Sequence, residues 1–259
     1  MSSLARLELI ESLSVTVVFC TPSYALHLGQ VADQNDIDLR ASSVRAIVVA
    51  GEPGGSIPAF REQIELMWDA TVIDHCGASE IGPWGFADAD RRGILVNESE
   101  FVCEFLPLDE NRTDNSADPL FELVLTNLGR YGCPIIRYRT GDLVRPVFDH
   151  LDESNFVLLD GGVLGRVDDM MIIRGVNIYP SSIEQILRQF NEVNEYRMTA
   201  TKRGSLDELT IEVEDTLNEP RRIAEQLQVR LGLNVLVTIV PAGTLPRFEA
   251  KGKRFVDQR

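Results

Sequence analysis

Ser79 and Glu80 place a hydroxyl and a carboxylate side by side in the stretch TVIDHCGASEIGPWG, residues 71–85. The stretch opens with the β-branched run 71–73, which is typical of a buried strand, and then changes to small and turn-forming residues. A hydroxyl can donate a hydrogen bond to an anionic oxygen, and a carboxylate is a hard ligand that suits Mg²⁺. We therefore expect a loop here that holds the phosphate and metal end of a bound nucleotide, a hypothesis that other motifs have to support.

The acidic composition limits how an anionic ligand could be held. The chain has 259 residues, is 44% hydrophobic and 25% charged, and carries a formal net charge of −15 with a pI near 4.6. Nucleic acids and anionic membranes demand clustered Lys and Arg, so neither is expected as a partner. Backbone N–H groups, a few placed basic residues or a metal ion must then bind the ligand. The length suits one large domain or two smaller ones.

The cysteines and the apolar runs indicate the class of protein. Four cysteines are widely spaced without a CxxC pair, at positions 20, 76, 103 and 133. This spacing predicts reduced thiols in a cytoplasmic protein and supplies no zinc site. The sequence contains no recognisable signal peptide, and no apolar run approaches the roughly 20 residues that a membrane helix needs. We expect no membrane partner.

The first third of the chain alternates between strand and helix patterns. Strands are predicted at 15–20, 45–51 and 71–75, and helices from Pro22 to about Gln34 and from Ile57 to Trp68. Such alternation with short turns is typical of a mostly parallel sheet covered by helices. In these sheets ligands bind beyond the carboxyl ends of the strands. The glycine-rich turns GEPGG and CGASEIG both follow strands, so we expect them to line one crevice.

The remaining chain divides into two further regions. Short strands separated by Asn, Asp, Gly and Pro predict an antiparallel subdomain over 93–166. After 165–169 the pattern becomes β-α-β-β-α-β, with a capping-box pair of Ser181 and Glu184 at the first helix. The predicted fold class is α/β, a mostly parallel sheet with helices plus a small antiparallel β subdomain, followed by a small α+β C-terminal domain. We place the partial large domain at 1–166, its α/β part at 1–92, and the small mobile domain at 168–259.

Five motifs in order carry a family resemblance: AGEP, HCGASE, YRTGDL, GRVDD and PRFEAKGKR. Together they resemble the motifs of the adenylate-forming (ANL) enzymes, the superfamily of acyl- and aryl-CoA ligases. The stretches TPSYALHL, NLGRYGCPIIRYRTGDLVRP and GRVDDMMIIRGVNIYPSSIEQIL are most similar to the phenylacetate–CoA ligase branch, and the resemblance runs from about residue 13 to the end. It implies an AMP-forming ligase that joins an aryl carboxylate to ATP and then transfers the acyl group to coenzyme A.

The resemblance implies roles for the residues around the Ser-Glu pair. Glu80 would bind Mg²⁺ and Ser79 would bond the α-phosphate, while the small Gly77 and Ala78 would let the backbone approach the nucleotide and acyl group. Cys76 stands where most relatives carry an aromatic ring that stacks on adenine.

Further nucleotide contacts are implied by three other motifs. Asp142 in YRTGDL would accept hydrogen bonds from both ribose hydroxyls, and Arg166 in GRVDD would lie at the ribose and phosphate. Gly51, Glu52 and Pro53 would lie against adenine, although a plain turn after the strand explains them equally well. Tyr24, by analogy with the TPSY segment, would line the acyl pocket.

The resemblance also implies a small domain that rotates between two half-reactions. Asp168 matches the hinge position, and Gly175 matches the glycine that lets the pantetheine arm of coenzyme A pass the backbone. The adenylation lysine is Lys251 when counted from the Pro-Arg pair, and Lys253 by the more general Gly-Lys pattern. An ordinary strand-end turn and a solvated basic tail are the alternative interpretations of these stretches.

The sequence departs from the family pattern upstream of TPSY. The family's glycine- and Ser/Thr-rich phosphate loop has no counterpart between Met1 and Val15. We therefore expect the carboxyl-terminal part of a longer enzyme, with either a partner that supplies the missing N-terminal segment or a homodimer. Two other functions stay open: an adenylate-forming transferase with another acceptor, as in capsule or cofactor biosynthesis, and a non-catalytic nucleotide-binding remnant.

Overall fold

The computed structural model describes residues 1–108, 119–148, 154–174, 176–203, 206–247 and 254–259. The α-helices within these ranges are α1 Ser3–Ser12, α2 Pro22–Gln34, α3 Pro58–Trp68, α4 Pro180–Leu187 and α5 Pro220–Leu231. Helices α2 to α5 each carry a proline in the first turn, where its fixed φ suits the helix and its missing N–H costs no hydrogen bond. The sequence therefore marks where these four helices begin.

Strands make up most of the regular structure in the same ranges. They are β1 Val17–Cys20, β2 Ala46–Val49, β3 Thr71–Ala78, β4 Gly82–Ala87, β5 Gly93–Val96, β6 Phe101–Pro107, β7 Phe121–Asn127, β8 Tyr138–Val144, β9 Pro146–Val147, β10 Leu158–Asp160, β11 Gly165–Arg166, β12 Met171–Ile173, β13 Val176–Ile178, β14 Val193–Arg203, β15 Leu206–Asp215, β16 Leu236–Ile239 and β17 Phe255–Asp257.

The first sheet has seven strands in the order β1-β2-β3-β4-β5-β10-β9. Strands β1 to β3 are parallel, and every later pair is antiparallel. Helices α2 and α3 pack on the parallel part through a buried apolar cluster that includes Leu28, Ile64 and Val72. The mixed α/β fold class is confirmed. The parallel and antiparallel parts share one sheet, because β3 returns through a hairpin into β4 instead of through a helix.

An antiparallel sheet of four strands, β11-β8-β7-β6, lies in the region 93–166 where an antiparallel subdomain was predicted, whereas β5, β9 and β10 of that region join the first sheet. Its core is continuous with the hairpin of the first sheet, since Ile81 and Trp84 are buried together with Leu123, Leu125 and Val144. The hairpin that carries the Ser-Glu pair is thereby anchored from both sheets.

The C-terminal unit has a core of its own. It contains the hairpin β12–β13, a four-stranded sheet in the order β16-β15-β14-β17, and helices α4 and α5. Its centre is fully buried and apolar, formed by Ile183, Ile211, Val213, Ile223 and Leu227. The six predicted elements occur in the predicted order, but two strands are added: β13, which forms a hairpin with β12 before α4, and β17, which pairs parallel to β14.

Two local features differ from the sequence prediction. Helix α1 was not predicted, because its apolar residues are spread around the helix and do not form one stripe; Ser2 caps it by accepting a hydrogen bond from the N–H of Ala5, and Leu7 is buried. The capping box at α4 is wrong, because Pro180 occupies the first helical position and moves Ser181 inside the first turn. The described part of the chain contains no helix long and apolar enough to cross a membrane.

Candidate active site

A large cavity opens at the carboxyl ends of the parallel strands, between the first sheet and the C-terminal unit. Its volume is about 1660 Å³, above the roughly 300–1,000 Å³ of ordinary ligand pockets. The predicted nucleotide and acyl residues of the described chain line it: Tyr24, Gly51, Glu52, Pro53, Cys76, Gly77, Ala78, Ser79, Glu80, Asp142 and Arg166. Residues from well-separated motifs therefore face one space large enough for a nucleotide and an acyl group.

The Ser-Glu pair lies at the tip of a tight hairpin. Strand β3 extends three residues further than predicted, and a short turn over 79–81 leads into β4. Gly77 fits against the opposite strand, since a Cβ there would lie 3.2 Å from the carbonyl oxygen of Gly82. Arg130 donates a hydrogen bond to the backbone carbonyl of Glu80. The side chains of Ser79 and Glu80 are exposed to the cavity on a turn whose backbone is fixed.

The residues at this tip can form part of a Mg²⁺ site but not a complete one. Among the described residues, no group of three or more His, Cys, Asp or Glu side chains could hold a metal ion. Magnesium commonly takes one or two protein carboxylates and completes its shell with phosphate oxygens and water. The single exposed carboxylate of Glu80 fits that kind of shared site.

Asp142 and Arg166 form a second polar group on the cavity wall. They lie directly opposite each other in the antiparallel pair of β8 and β11, and Nη1 of Arg166 is 3.2 Å from Oδ1 of Asp142. Gly141, at φ +74°, leaves room for the guanidinium, since a Cβ there would lie 2.8 Å from Nη2. The hydroxyl of Thr140 accepts a hydrogen bond of 3.0 Å from the N–H of Asp142. A carboxylate acceptor and a cation are thus held side by side.

The same arginine reaches the junction between the two units. Nε of Arg166 donates to Oδ1 of Asp168 at 3.1 Å. Partial burial acts to lower the pKa of Arg166, but the charges of Asp168 and Asp142 outweigh it and raise that pKa. Asp168 lies in the short 3₁₀ turn Val167–Asp169 between the antiparallel sheet and the C-terminal unit. It does not line the cavity among the described residues, but it sits where the chain passes from one core to the other.

Glu52 makes protein contacts with both of its carboxylate oxygens. Oε1 accepts a hydrogen bond of 2.8 Å from the N–H of Ser23, in the first turn of α2, where a negative charge is favourable. Oε2 lies 3.6 Å from Nη1 of Arg254 in the C-terminal unit. The AGEP segment therefore lines the cavity, and the carboxylate of its glutamate binds the protein itself.

Helices α1 and α2 form another part of the cavity wall. Tyr24 is buried, and its hydroxyl lies 3.1 Å from Oγ of Ser3 and accepts a hydrogen bond from Arg6. The Arg6 guanidinium also lies 5.2 Å from the centre of the Tyr24 ring. Sequence reasoning missed Ser3 and Arg6, because it did not predict the helix that carries them.

A buried polar pair lies beneath the nucleotide motifs. Oγ of Ser56 donates to Oδ2 of Asp74 at 2.5 Å, and burial raises the pKa of Asp74. Burial, together with Asp74 and Asp142, raises the pKa of the Cys76 thiol well above its ordinary value. Cys76 is therefore protonated at neutral pH and acts as a small, weakly polar surface of the cavity. No sequence motif marked Ser56 or Asp74.

Three predicted residues lie outside the described part of the chain: Gly175, Lys251 and Lys253. The first described residue after the lysines is Arg254, which lines the cavity. Sequence reasoning singled out the basic segment that contains it, but only for the lysines.

Comparisons with known proteins agree with this arrangement. Residues 175–259 match the family model of the AMP-binding enzyme C-terminal domain. Over 98% of its length the chain is 30% identical to phenylacetate–coenzyme A ligase of Thermus thermophilus, and over 97% it is 32% identical to the Escherichia coli enzyme of the same name. The chain spans 63% and 60% of the length of these two relatives.

Solved structures of one enzyme match to different degrees in different states. The 2-hydroxyisobutyryl-CoA ligase in the postadenylation state, in complex with R3-HIB-AMP, superimposes with a TM-score of 0.86 at 27% identity, covering 99% of this chain and 57% of that one. The same ligase in the thioesterification state, with 2-HIB-AMP and CoA, gives 0.57 at 26% identity, covering 98% of this chain and 56% of that one. The units of the present chain are therefore arranged more nearly as in the postadenylation state. Residues 175–259 thus match the AMP-binding enzyme C-terminal domain family, and the chain as a whole is similar to phenylacetate–coenzyme A ligases.

Proposed function

We propose that this chain carries the adenylate-binding and C-terminal parts of an AMP-forming aryl- or arylacetate–CoA ligase. The observation that supports it most is the meeting of the Ser79–Glu80 hairpin and the Asp142–Arg166 pair on one cavity. The similarity to phenylacetate–coenzyme A ligases along the chain supports the same reaction class.

The first half-reaction joins the substrate carboxylate to the α-phosphorus of ATP and releases pyrophosphate. The hydroxyl of Ser79 donates a hydrogen bond to an α-phosphate oxygen, and Arg166 offsets negative charge that develops beside it. Mg²⁺ held by Glu80 and the phosphates would supply further positive charge. Asp142 accepts hydrogen bonds from the two ribose hydroxyls and so fixes the nucleotide relative to the hairpin. An aryl group lies toward Tyr24.

The second half-reaction transfers the acyl group to coenzyme A. The thiol sulfur attacks the acyl carbonyl, and AMP leaves with the electrons of the broken carbon–oxygen bond. We propose that the unit at 168–259 rotates about Asp168 for this step, with Gly175 lining the path of the pantetheine arm and Lys251 serving the first step. The separate core of the C-terminal unit and its single connection through a short 3₁₀ turn support this division.

Calorimetric titration with a non-hydrolysable phenylacetyl-adenylate analogue and Mg²⁺ tests the nucleotide site. We expect saturable binding that Asp142→Ala weakens on the order of 10- to 100-fold, since a hydrogen bond to a charged group contributes about 1.5–3 kcal/mol. Asp33→Ala is the matched control, because Asp33 is exposed on α2. Equal affinities in the two variants, or no binding by the folded protein, would contradict the proposed site.

Assaying the two half-reactions separately tests the roles of the C-terminal unit. Lys251→Ala should abolish adenylation and spare thioester formation from supplied acyl adenylate, whereas Gly175→Leu should do the reverse. An equal loss of both steps in each variant would rule out the rotation. Adenylation without transfer to coenzyme A would favour a transferase with another acceptor, and no adenylation would favour a nucleotide-binding remnant.

A further inference from the structure

A chain of charged and aromatic side chains connects the C-terminal unit to the larger unit beside the cavity. It consists of Glu52 and Phe60 from the larger unit and of Arg188, Glu195, Tyr196 and Arg254 from the C-terminal unit. Arg254 is at its centre, with a side chain that is 7% exposed. A buried guanidinium requires partners that compensate for its lost hydration.

One partner of Arg254 moves with it. Nε lies 2.6 Å from Oε1 of Glu195 and Nη2 lies 3.1 Å from Oε2, a two-bond contact between buried groups. The carbonyl of Arg254 also accepts a hydrogen bond of 2.8 Å from the N–H of Met198 in β14. Because these bonds lie within the C-terminal unit, a rotation of that unit preserves them.

The other partner belongs to the larger unit. Nη1 of Arg254 is 3.6 Å from Oε2 of Glu52, whose side chain is 10% exposed. The N–H of Ser23 holds the second oxygen of Glu52, so the carboxylate is fixed before Arg254 reaches it. A rotation of the C-terminal unit separates Arg254 from Glu52 and preserves its pair with Glu195.

A second contact lies beside the ion pair. The Arg188 guanidinium is 4.2 Å from the centre of the Phe60 ring in α3 and 5.1 Å from that of Tyr196. Nε2 of Gln63 donates a hydrogen bond of 2.8 Å to the carbonyl of Asn191. Both contacts join α3 to the C-terminal unit, so the interface around Arg254 is specific to the present arrangement.

We propose that Arg254 is a positioning residue which, by pairing with Glu52, holds the C-terminal unit in the arrangement that serves adenylation. A contact present in one arrangement and absent in the other shifts the equilibrium between them. In the sequence, Arg254 directly follows the segment that contains Lys251 and Lys253. The claim that this arrangement serves adenylation rests on the proposed function. The claim that the ion pair holds the two units in this arrangement does not.

Distance measurement between spin labels tests the arrangement directly. One label is placed on the exposed Cys133 of the larger unit, and the second on Val229→Cys, a position that is 79% exposed on α5. Glu52→Gln removes the charge but keeps the acceptor for Ser23, and Glu62→Gln on the exposed side of α3 is the matched control. We expect one narrow distance distribution in the unmodified chain and in the control, and a second, separate population in Glu52→Gln. A distribution in Glu52→Gln that is unchanged would overturn the proposal.

The half-reactions separate a positioning role from a merely structural one. Glu52→Gln should slow adenylation at least tenfold more than it slows thioester formation from supplied acyl adenylate, and Arg254→Lys should recover part of the adenylation rate lost in Arg254→Met. An equal loss of adenylation and thioester formation in Glu52→Gln would overturn the proposal, as would equal adenylation rates in Arg254→Lys and Arg254→Met. If the unmodified chain does not adenylate, the proposed function fails, and the distance distributions still decide whether Arg254 holds the units together.

Discussion

The four cysteine thiols differ in how readily they can ionise. Burial, with a contribution from neighbouring carboxylates, raises the pKa of Cys20 and of Cys103 to about 12 and that of Cys76 well above its ordinary value. Cys133 is exposed. Since the thiolate is the reactive species, we expect one thiol of the native protein to react rapidly with an aromatic disulfide reagent at pH 7.5, and all four to react in denaturant.

The variant Cys133→Ser identifies the reactive thiol. The native form of this variant should show no fast phase, and the number of thiols that react in denaturant should fall from four to three. A fast phase that persists in Cys133→Ser would show that the cavity thiol of Cys76, or one of the other two, is more accessible than its burial indicates. Bound adenylate analogue should leave the fast phase unchanged, because Cys133 does not line the cavity.

The loop that follows β16 is held by a carboxylate on β15. Glu214 accepts hydrogen bonds from the N–H groups of Gly243 and Leu245, at 3.0 and 2.7 Å, and pairs with Arg247 at 2.6 Å. Burial by itself acts to raise the pKa of Glu214, but Arg247 and the two amides lower it below the ordinary value of 4.5. The segment that leads toward Lys251 is therefore anchored by one side chain.

We expect Glu214→Gln to lower the free energy of unfolding by about 1–3 kcal/mol at pH 7, because a charge-assisted network is lost. A depressed pKa stabilises the folded state above the unfolded-state pKa, and this contribution is lost as the pH falls through the lower folded-state value. The difference in unfolding free energy between Glu214→Gln and the unmodified chain should therefore become smaller below about pH 4.5. Urea unfolding of both proteins at a series of pH values measures this difference in free energy.

Glu225→Gln is the control for this measurement, since Glu225 is exposed on α5. It should change stability by less than about 0.5 kcal/mol, as surface substitutions usually do. A difference between Glu214→Gln and the unmodified chain that stays constant from pH 7 to pH 3 would show that the carboxylate does not anchor the loop through its charge.

At the scale of the whole molecule, the C-terminal unit buries a core that its own residues supply. The buried cluster that contains Ile183, Ile211 and Leu227 lies entirely within residues 171–237. We therefore expect a fragment of residues 168–259 to fold alone and to unfold cooperatively in urea, with a slope of about 1–2 kcal/mol per molar. Near-ultraviolet circular dichroism of the buried Tyr196 follows the transition.

Within that fragment, Ile211→Ala should cost about 2–5 kcal/mol, as expected for a large-to-small substitution in a packed core. Arg188→Gln should cost less than it does in the full chain, because Phe60 is absent from the fragment and the cation–ring contact across the interface no longer exists. A broad, uncooperative transition would mean that the C-terminal unit depends on the larger one for its core.

The sequence by itself determined which segments form elements and which motifs carry chemistry. Helices α2 to α5 begin at prolines, and β-branched runs mark the buried strands. Both are local conformational preferences, which depend only on residues that are near in sequence. The motif residues from Tyr24 to Arg166 were named from sequence alone and face one cavity. Two local features were predicted wrongly or missed: the capping pair at α4 was displaced by one proline, and α1 was missed because its apolar residues do not form one stripe.

Only the tertiary structure decided which distant charges meet. Nothing in the sequence near Glu52 indicates Arg254, and nothing near Phe60 indicates Arg188, since a pattern shows which face of an element is buried and not what lies against it. The same holds for Arg6 at the Tyr24 hydroxyl and for Asp142 opposite Arg166. Such pairs depend on how the elements pack on one another. That packing is determined by the apolar surface that the residues of both units bury together.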